Sequence, residues 1–212
     1  MKRKFISFLF VSALAYSAKS QVFLPAAQVS VDLSKQHFSG EEGLVNSEAK
    51  YLVGGNIGVY GTLLFAKDIK KNAFTLTAGL EYAQKGVKSD ETDFKAKAHA
   101  NYIQLPVYAG YNLVAGPGAL FAGIGPYIAY GVDGKIKADG EESINTFGEN
   151  DGGFKRFDAG GAVRVGYRLD KGLLLVLGYQ HGITNIGYES HDFNSKNRSF
   201  SIAVGYAFGK HK

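Results

Sequence analysis

The residues of this chain whose types could carry chemistry are five histidines, His37, His99, His181, His191 and His211, and a set of ionisable groups, Glu81, Asp158, Arg164 and Arg168. Histidines hold a metal when they recur at short fixed spacings, and these five do not. Carboxylates doing acid–base work must flank a cleft, and no pair at a recognisable spacing is present. The chain has no cysteine, which excludes disulfides, thiolate metal sites, a cysteine nucleophile and a lipid-modified N-terminal cysteine. Gly123-Ile124-Gly125 and Gly160-Gly161 lead into no helix carrying a Lys-Ser/Thr pair, so they are not phosphate loops. The acidic stretch 140–151 lacks the oxygen-ligand spacing of a calcium loop. No catalytic, cofactor-binding or metal-ligating residue is assigned, and no cofactor is expected. A loop histidine beside a loop serine leaves one enzymatic alternative open, a lipid- or peptide-acting outer-membrane enzyme.

The elements that position these groups follow a period of two. Eight candidate strands are readable, and in seven of them one parity is apolar or aromatic while the other is small or polar. Over 73–85 one set is Phe74, Leu76, Ala78, Leu80 and Tyr82, against Thr75, Thr77, Gly79 and Glu81. Over 199–208, Phe200, Ile202, Val204, Tyr206 and Phe208 alternate with serine, alanine and glycine. The segment 22–33 shows the pattern least. Long polar stretches at 34–49, 86–101, 133–153 and 185–197 alternate with short ones at 66–72, 114–118 and 170–172. That is the rhythm of an eight-stranded antiparallel transmembrane up-and-down β-barrel, all-β, with short turns on the periplasmic side and long loops outside. Aromatics fall into two sets, Tyr51, Tyr82, Tyr130, Phe157, Tyr179 and Phe200 at one end, Phe65, Phe74, Tyr111, Tyr167, Tyr206 and Phe208 at the other. Ten residues from Phe157 to Tyr167 climb about 25 Å when tilted, the height of a bilayer's apolar band. A soluble periplasmic ligand-binding β-barrel is the competing architecture, and its aromatics need not collect in two rings.

A barrel of eight strands has a lumen that side chains fill. Glycines on the inner parity make room for Tyr60, Tyr108 and Tyr127. Glu81, Asp158, Arg164 and Arg168 share that parity with Gln104, Asn112 and Gln180, and since buried charges must pair, an ion-pair network among the four is expected.

The first residues read as an export signal: Lys2-Arg3-Lys4, an apolar run over 5–16, then Ala18-Lys19-Ser20. Twelve apolar residues are too few for a membrane helix, which takes about 20. The expected domains are therefore a signal peptide, 1–20, and an outer-membrane β-barrel domain, 21–212. The formal net charge of +5 depends on that leader. Without Lys2, Arg3, Lys4 and Lys19 the 24 basic residues fall to 20 against 19 acidic ones, and the basic groups are scattered, so nucleic acid is not an expected partner.

Several phrases occur in a definite order: 79–86 (GLEYAQKG), 102–107 (YIQLPV), 125–127 (GPY), 157–160 (FDAG), 178–182 (GYQHG), 184–186 (TNI) and 204–208 (VGYAF). In that order the chain resembles the PorT-like outer-membrane β-barrel family common in Bacteroidetes, from about residue 50 to 208. The resemblance implies a barrel in the cell outer membrane, with the closing aromatic strand serving as the signal read by the barrel assembly machinery. The residues themselves, with no catalytic constellation, lead to the expectation of a non-enzymatic barrel whose extracellular loops bind a partner or surface ligand or whose body supports a secretion or envelope complex. The strand pattern makes the outer-membrane lipid bilayer one expected partner; the resemblance adds that machinery and, as in some relatives, an envelope or secretion protein. Here the final aromatic, Phe208, is followed by Gly-Lys-His-Lys, a small departure from a terminal aromatic.

Overall fold

A sheet with one apolar face toward lipid can leave no edge, because unpaired backbone groups are not solvated there. The computed structural model describes residues 21–40, 51–91, 94–138, 144–147, 154–187 and 193–209, and its sheet is closed. The strands are β1 (Val22–Gly40), β2 (Leu52–Leu64), β3 (Ala73–Glu91), β4 (Phe94–Val114), β5 (Gly118–Ala138), β6 (Ile144–Asn145), β7 (Phe157–Leu169), β8 (Leu173–Gly182) and β9 (Phe193–Ala207). Eight of them form the wall, each antiparallel to its neighbours, and β6 is a two-residue addition to the end of β5. The weakly patterned first segment closes the barrel: β1 pairs β9 from Ala26↔Ala207 to Gly40↔Phe193. The expected leader, 1–20, lies outside the described residues.

The two parities separate as the alternation requires. Phe74, Ile124, Val163, Leu177, Ile202 and Val204 are exposed on the outer wall, while Tyr102, Tyr127, Gln104 and Asp158 are at most 1% exposed inside. So large an apolar exterior suits lipid and excludes the soluble alternative. Tyr82, Ile103, Tyr130 and Phe157 stand side by side in register near the loop end of the wall. At the other end Phe74 meets Tyr111 edge to face at 5.2 Å, and Tyr206 meets Phe208 at 5.3 Å. β8 is apolar on both parities because its inner residues Leu174 and Val176 pack with Leu24, Leu64 and Ala207 at the short-turn end of the lumen.

The short turns fall where expected, but the long polar stretches are shorter than the sequence implied. β3 and β4 stay paired through Gly86↔His99 and Lys88↔Lys97 to Glu91↔Phe94, so most of 86–101 is ladder and not loop. β1 continues to Gly40, β5 to Ala138, and β9 begins at Phe193. The reason is chemical. Beyond the outer aromatic row the wall leaves lipid, so Lys97 faces out while Ala98 and Ala100 are buried inside. The alternation persists with its polarity reversed. On β5 the ladder slips between Asn101 and Tyr102, leaving Val132 and Asp133 both exposed, a bulge at that boundary.

Candidate functional site in the lumen

The inner parity of eight strands brings the ionisable residues into one column. At the loop end, segment 144–147 folds over the mouth: Thr146 N–H donates to Gly134 O at 3.1 Å and its Oγ1 donates to His99 O at 2.8 Å. This places the buried Phe147 ring against Tyr102, edge to face at 5.7 Å. Phe154 and Ile186 join it, held by Phe154 N–H to Thr146 O at 2.7 Å and Ile186 N–H to Ser195 O at 2.9 Å. Stretches that read as polar loop thus contribute an apolar lid. Gly131 makes the lid possible, since a Cβ there would collide with the Phe147 ring.

Beneath the lid, Asp158 accepts four hydrogen bonds. Its Oδ2 receives Lys85 Nζ at 3.3 Å, Tyr127 Oη at 3.2 Å and Asn197 Nδ2 at 3.0 Å, and its Oδ1 receives Thr184 Oγ1 at 3.1 Å. The Lys85 ammonium also lies 4.4 Å from the Tyr127 ring centroid and 5.4 Å from that of Tyr102. Lys85 and Asp158 are nearly or wholly buried, a desolvated pair with every acceptor used.

Glu81 is held by neutral donors: Asn56 Nδ2 at 3.0 Å, Gln104 Nε2 at 2.8 Å and the Tyr60 hydroxyl. Tyr60 fits because Gly79 leaves room, where a Cβ would stand 2.6 Å from its ring. On the face of that ring lies Arg164, its guanidinium carbon 5.2 Å from Tyr60, 5.3 Å from Tyr108 and 5.0 Å from Phe121. Asp32, buried and bonded to Ser30 Oγ at 2.7 Å, shares a cavity of about 40 Å³ with Glu81 and Arg164. A space that small takes a few waters and no organic substrate. Lowest, Arg168 Nη2 donates to Ile69 O at 3.1 Å, and Asn112 Nδ2 to Lys71 O at 3.2 Å, tying the turn 65–72 beneath the barrel.

The structure therefore corrects the expected network. Glu81, Asp158, Arg164 and Arg168 do share the lumen, but neither arginine pairs with either carboxylate. Asp158 takes Lys85, Glu81 takes amides and a phenol, Arg164 takes three rings, and Arg168 takes a turn carbonyl. Lys85, Asp32, Asn197 and Thr184 were not anticipated, although Lys85 continues the inner parity of Gly79 and Glu81. Gln180 lines the cavity beside Glu81. His37, His99 and His181 lie on β1, β4 and β8, and His191 and His211 lie outside the described residues. The Tyr179 hydroxyl stands 3.2 Å from His181 Nδ1. Among the described residues no three histidine or acidic side chains converge as a metal requires. The acidic stretch 140–151 lies outside the described residues except for 144–147.

The chain is similar to several solved outer-membrane proteins. Ail, the attachment invasion locus protein of Yersinia pestis, is 13% identical over 87% of this chain and 98% of its own, with a TM-score of 0.42. OprG of Pseudomonas aeruginosa is 13% identical over 89% and 96%, with a TM-score of 0.44. The outer membrane enzyme PagL is 13% identical over 84% and 98%, with a TM-score of 0.43. Likenesses this distant carry no residue's role across. No curated protein matches the chain in sequence. Residues 25–188 match the family described as outer membrane protein beta-barrel domain, and with the closed wall and its lipid-facing exterior, the chain belongs to that family and resides in the outer membrane.

Proposed function

We propose that this outer-membrane barrel is a non-enzymatic, non-conducting platform whose external hairpins engage a partner, at the cell surface or within an envelope or secretion complex. One observation carries the reading: ordered sheet continues well past the outer aromatic row while the lumen is filled. The β3–β4 ladder runs on from Tyr82↔Ile103 to Glu91↔Phe94, and the β1–β9 seam reaches Gly40↔Phe193. Where β2 ends, Ser34 Oγ accepts from Gly86 N–H at 2.9 Å and donates to Gly86 O at 3.2 Å, bracing β1 against β3. Rigid strands outside the bilayer hold a binding surface better than mobile loops do. Their flanks are basic, with Lys97 and Lys135 exposed and Lys35 over the Tyr51 ring, and the stretches between them are rich in acid, as at Glu41, Glu42, Glu141 and Glu142.

The ordered phrases from residue 79 to 208 support a closer affiliation with the PorT-like barrels of Bacteroidetes. The alternating aromatics of β9 support its reading by the barrel assembly machinery. The test is site-specific photo-crosslinking in intact outer membranes. A crosslinker at Lys97 should capture one discrete protein or surface glycan, and the same group at Ile103, on the lipid face, should capture lipid alone. Identical products from both sites, or hydrolysis of lipid or peptide by the purified protein, would overturn the platform reading.

A further inference from the structure

A cavity of about 50 Å³ occupies the short-turn half of the lumen, the periplasmic end in barrels of this class. Arg164 and Arg168 line it together with Thr62, Thr75, Thr77 and Asn112, and no aspartate or glutamate does. Both guanidinium groups have spare donors. Arg168 is 6% exposed, and with Nη2 committed to Ile69 O its Nη1 has no partner. Three aromatic rings surround Arg164, so its donors remain at the rim of the plane, and its Nε has no partner. None of the lumen's acids lines this cavity: Glu81 is bonded to Asn56, Gln104 and Tyr60, Asp158 to Lys85, and Asp32 to Ser30, with Asp32 and Glu81 bordering Arg164 from the neighbouring cavity. Asp170, whose charge reaches Arg168, sits on an exposed turn and forms no ion pair with it.

We propose that this cavity is a binding site for one small oxyanion, of the sulfate, phosphate or carboxylate class, held between Arg164 and Arg168. Buried guanidinium donors left without a hydrogen-bond partner are costly, and an oxyanion there gains charge-assisted hydrogen bonds from two planar donors. The Thr75 hydroxyl and the Gln28 amide offer further polar groups; Thr62 and Thr77 are bonded to each other at 2.9 Å, and Leu24, Leu64, Phe121 and Leu174 give the rest of the lining an apolar character. The space, about four waters' worth, suits a tetrahedral anion with a companion water and nothing larger. Phe147, Phe154, Ile186 and Tyr127 pack together at the opposite end of the lumen.

The test is equilibrium dialysis of radiolabelled sulfate against the full-length protein folded in detergent micelles, at constant ionic strength. One saturable site is expected, emptied by inorganic phosphate. Arg168→Gln and Arg164→Gln should each weaken it at least about tenfold, the loss of one charge-assisted hydrogen bond. Arg168→Lys should give a smaller loss, and Lys171→Gln, on the exposed turn, none. Thr75→Val gives a reading that does not depend on the arginine variants folding, and it should weaken sulfate measurably. Absence of saturable sulfate binding to the unaltered protein, or equal affinity in the arginine variants, would overturn the proposal, as would equal affinity in Thr75→Val if the arginine variants do not fold.

Discussion

Lys85 reaches across the lumen to Asp158, from 73 positions away in sequence, and brings its Nζ to 3.3 Å from Oδ2. Removing the cation leaves a fully buried carboxylate with only neutral donors. Lys85→Met should therefore destabilise the barrel by about 3–5 kcal/mol, the scale of breaking a buried pair from one side. Denaturant unfolding in micelles, followed by the folded form's faster electrophoretic migration, reads the change.

Arg164 behaves differently because no acid depends on it. Arg164→Ala should cost about 2 kcal/mol, the scale of a desolvated cation–π contact, without the larger penalty of a stranded charge. Glu81 keeps Asn56, Gln104 and Tyr60 as donors in that variant. If Arg164→Ala proved as damaging as Lys85→Met in the same unfolding assay, a direct pair with a carboxylate would have to exist.

Gly131 accommodates the Phe147 ring, so Gly131→Val should expel the lid segment while leaving the wall closed. The expected loss is about 1–3 kcal/mol, as for other overpacked sites. Limited proteolysis should cut within 144–155 far faster in the variant. Unchanged cleavage would mean that the lid is not held by this contact.

Tyr127, Lys85, Tyr60, Arg164 and Arg168 all project into the lumen, so a continuous water column is not expected through it. Planar bilayers containing the protein should show no stable single-channel steps, and liposomes should not admit sugars. Phe147→Ala should open the outer mouth without creating conductance, because the layers below remain.

We further propose that residues 1–20 are an export signal. Mass spectrometry of protein from outer membranes should place the N-terminus near Gln21, and carbonate washing should not release it. A retained Met1 in membrane-resident protein would refute the signal.

The wall was legible because lipid imposes a one-sided demand: Phe200, Ile202, Val204 and Tyr206 must all face out, and a period of two shows it. β1 was harder to read, since Gln28, Asp32 and Ser34 occupy its inner face in place of the glycine and alanine of β9, yet closure requires it. The external ladders went unread because above the bilayer Lys97 and His99 take the outer parity and Ala98 and Ala100 the inner, an alternation with its apolar sense inverted. The partners within the lumen were not legible at all. Parity places Glu81, Asp158 and Arg164 inside, but which of them meet depends on the stagger between strands and on height along the axis. The sequence carries neither for residues dozens of positions apart.

The seam between β1 and β9 also constrains how the molecule comes into being. Its pairs join residues separated by almost the whole chain, from Ala26↔Ala207 onward. Contacts of that separation form slowly, since the loop-closure entropy must be met before they contribute anything. No N-terminal fragment can settle in lipid first, because every partial sheet carries two open edges. Until β1 and β9 have paired, the strands of the future exterior are open to aggregation. The barrel is complete only when β9 finds β1.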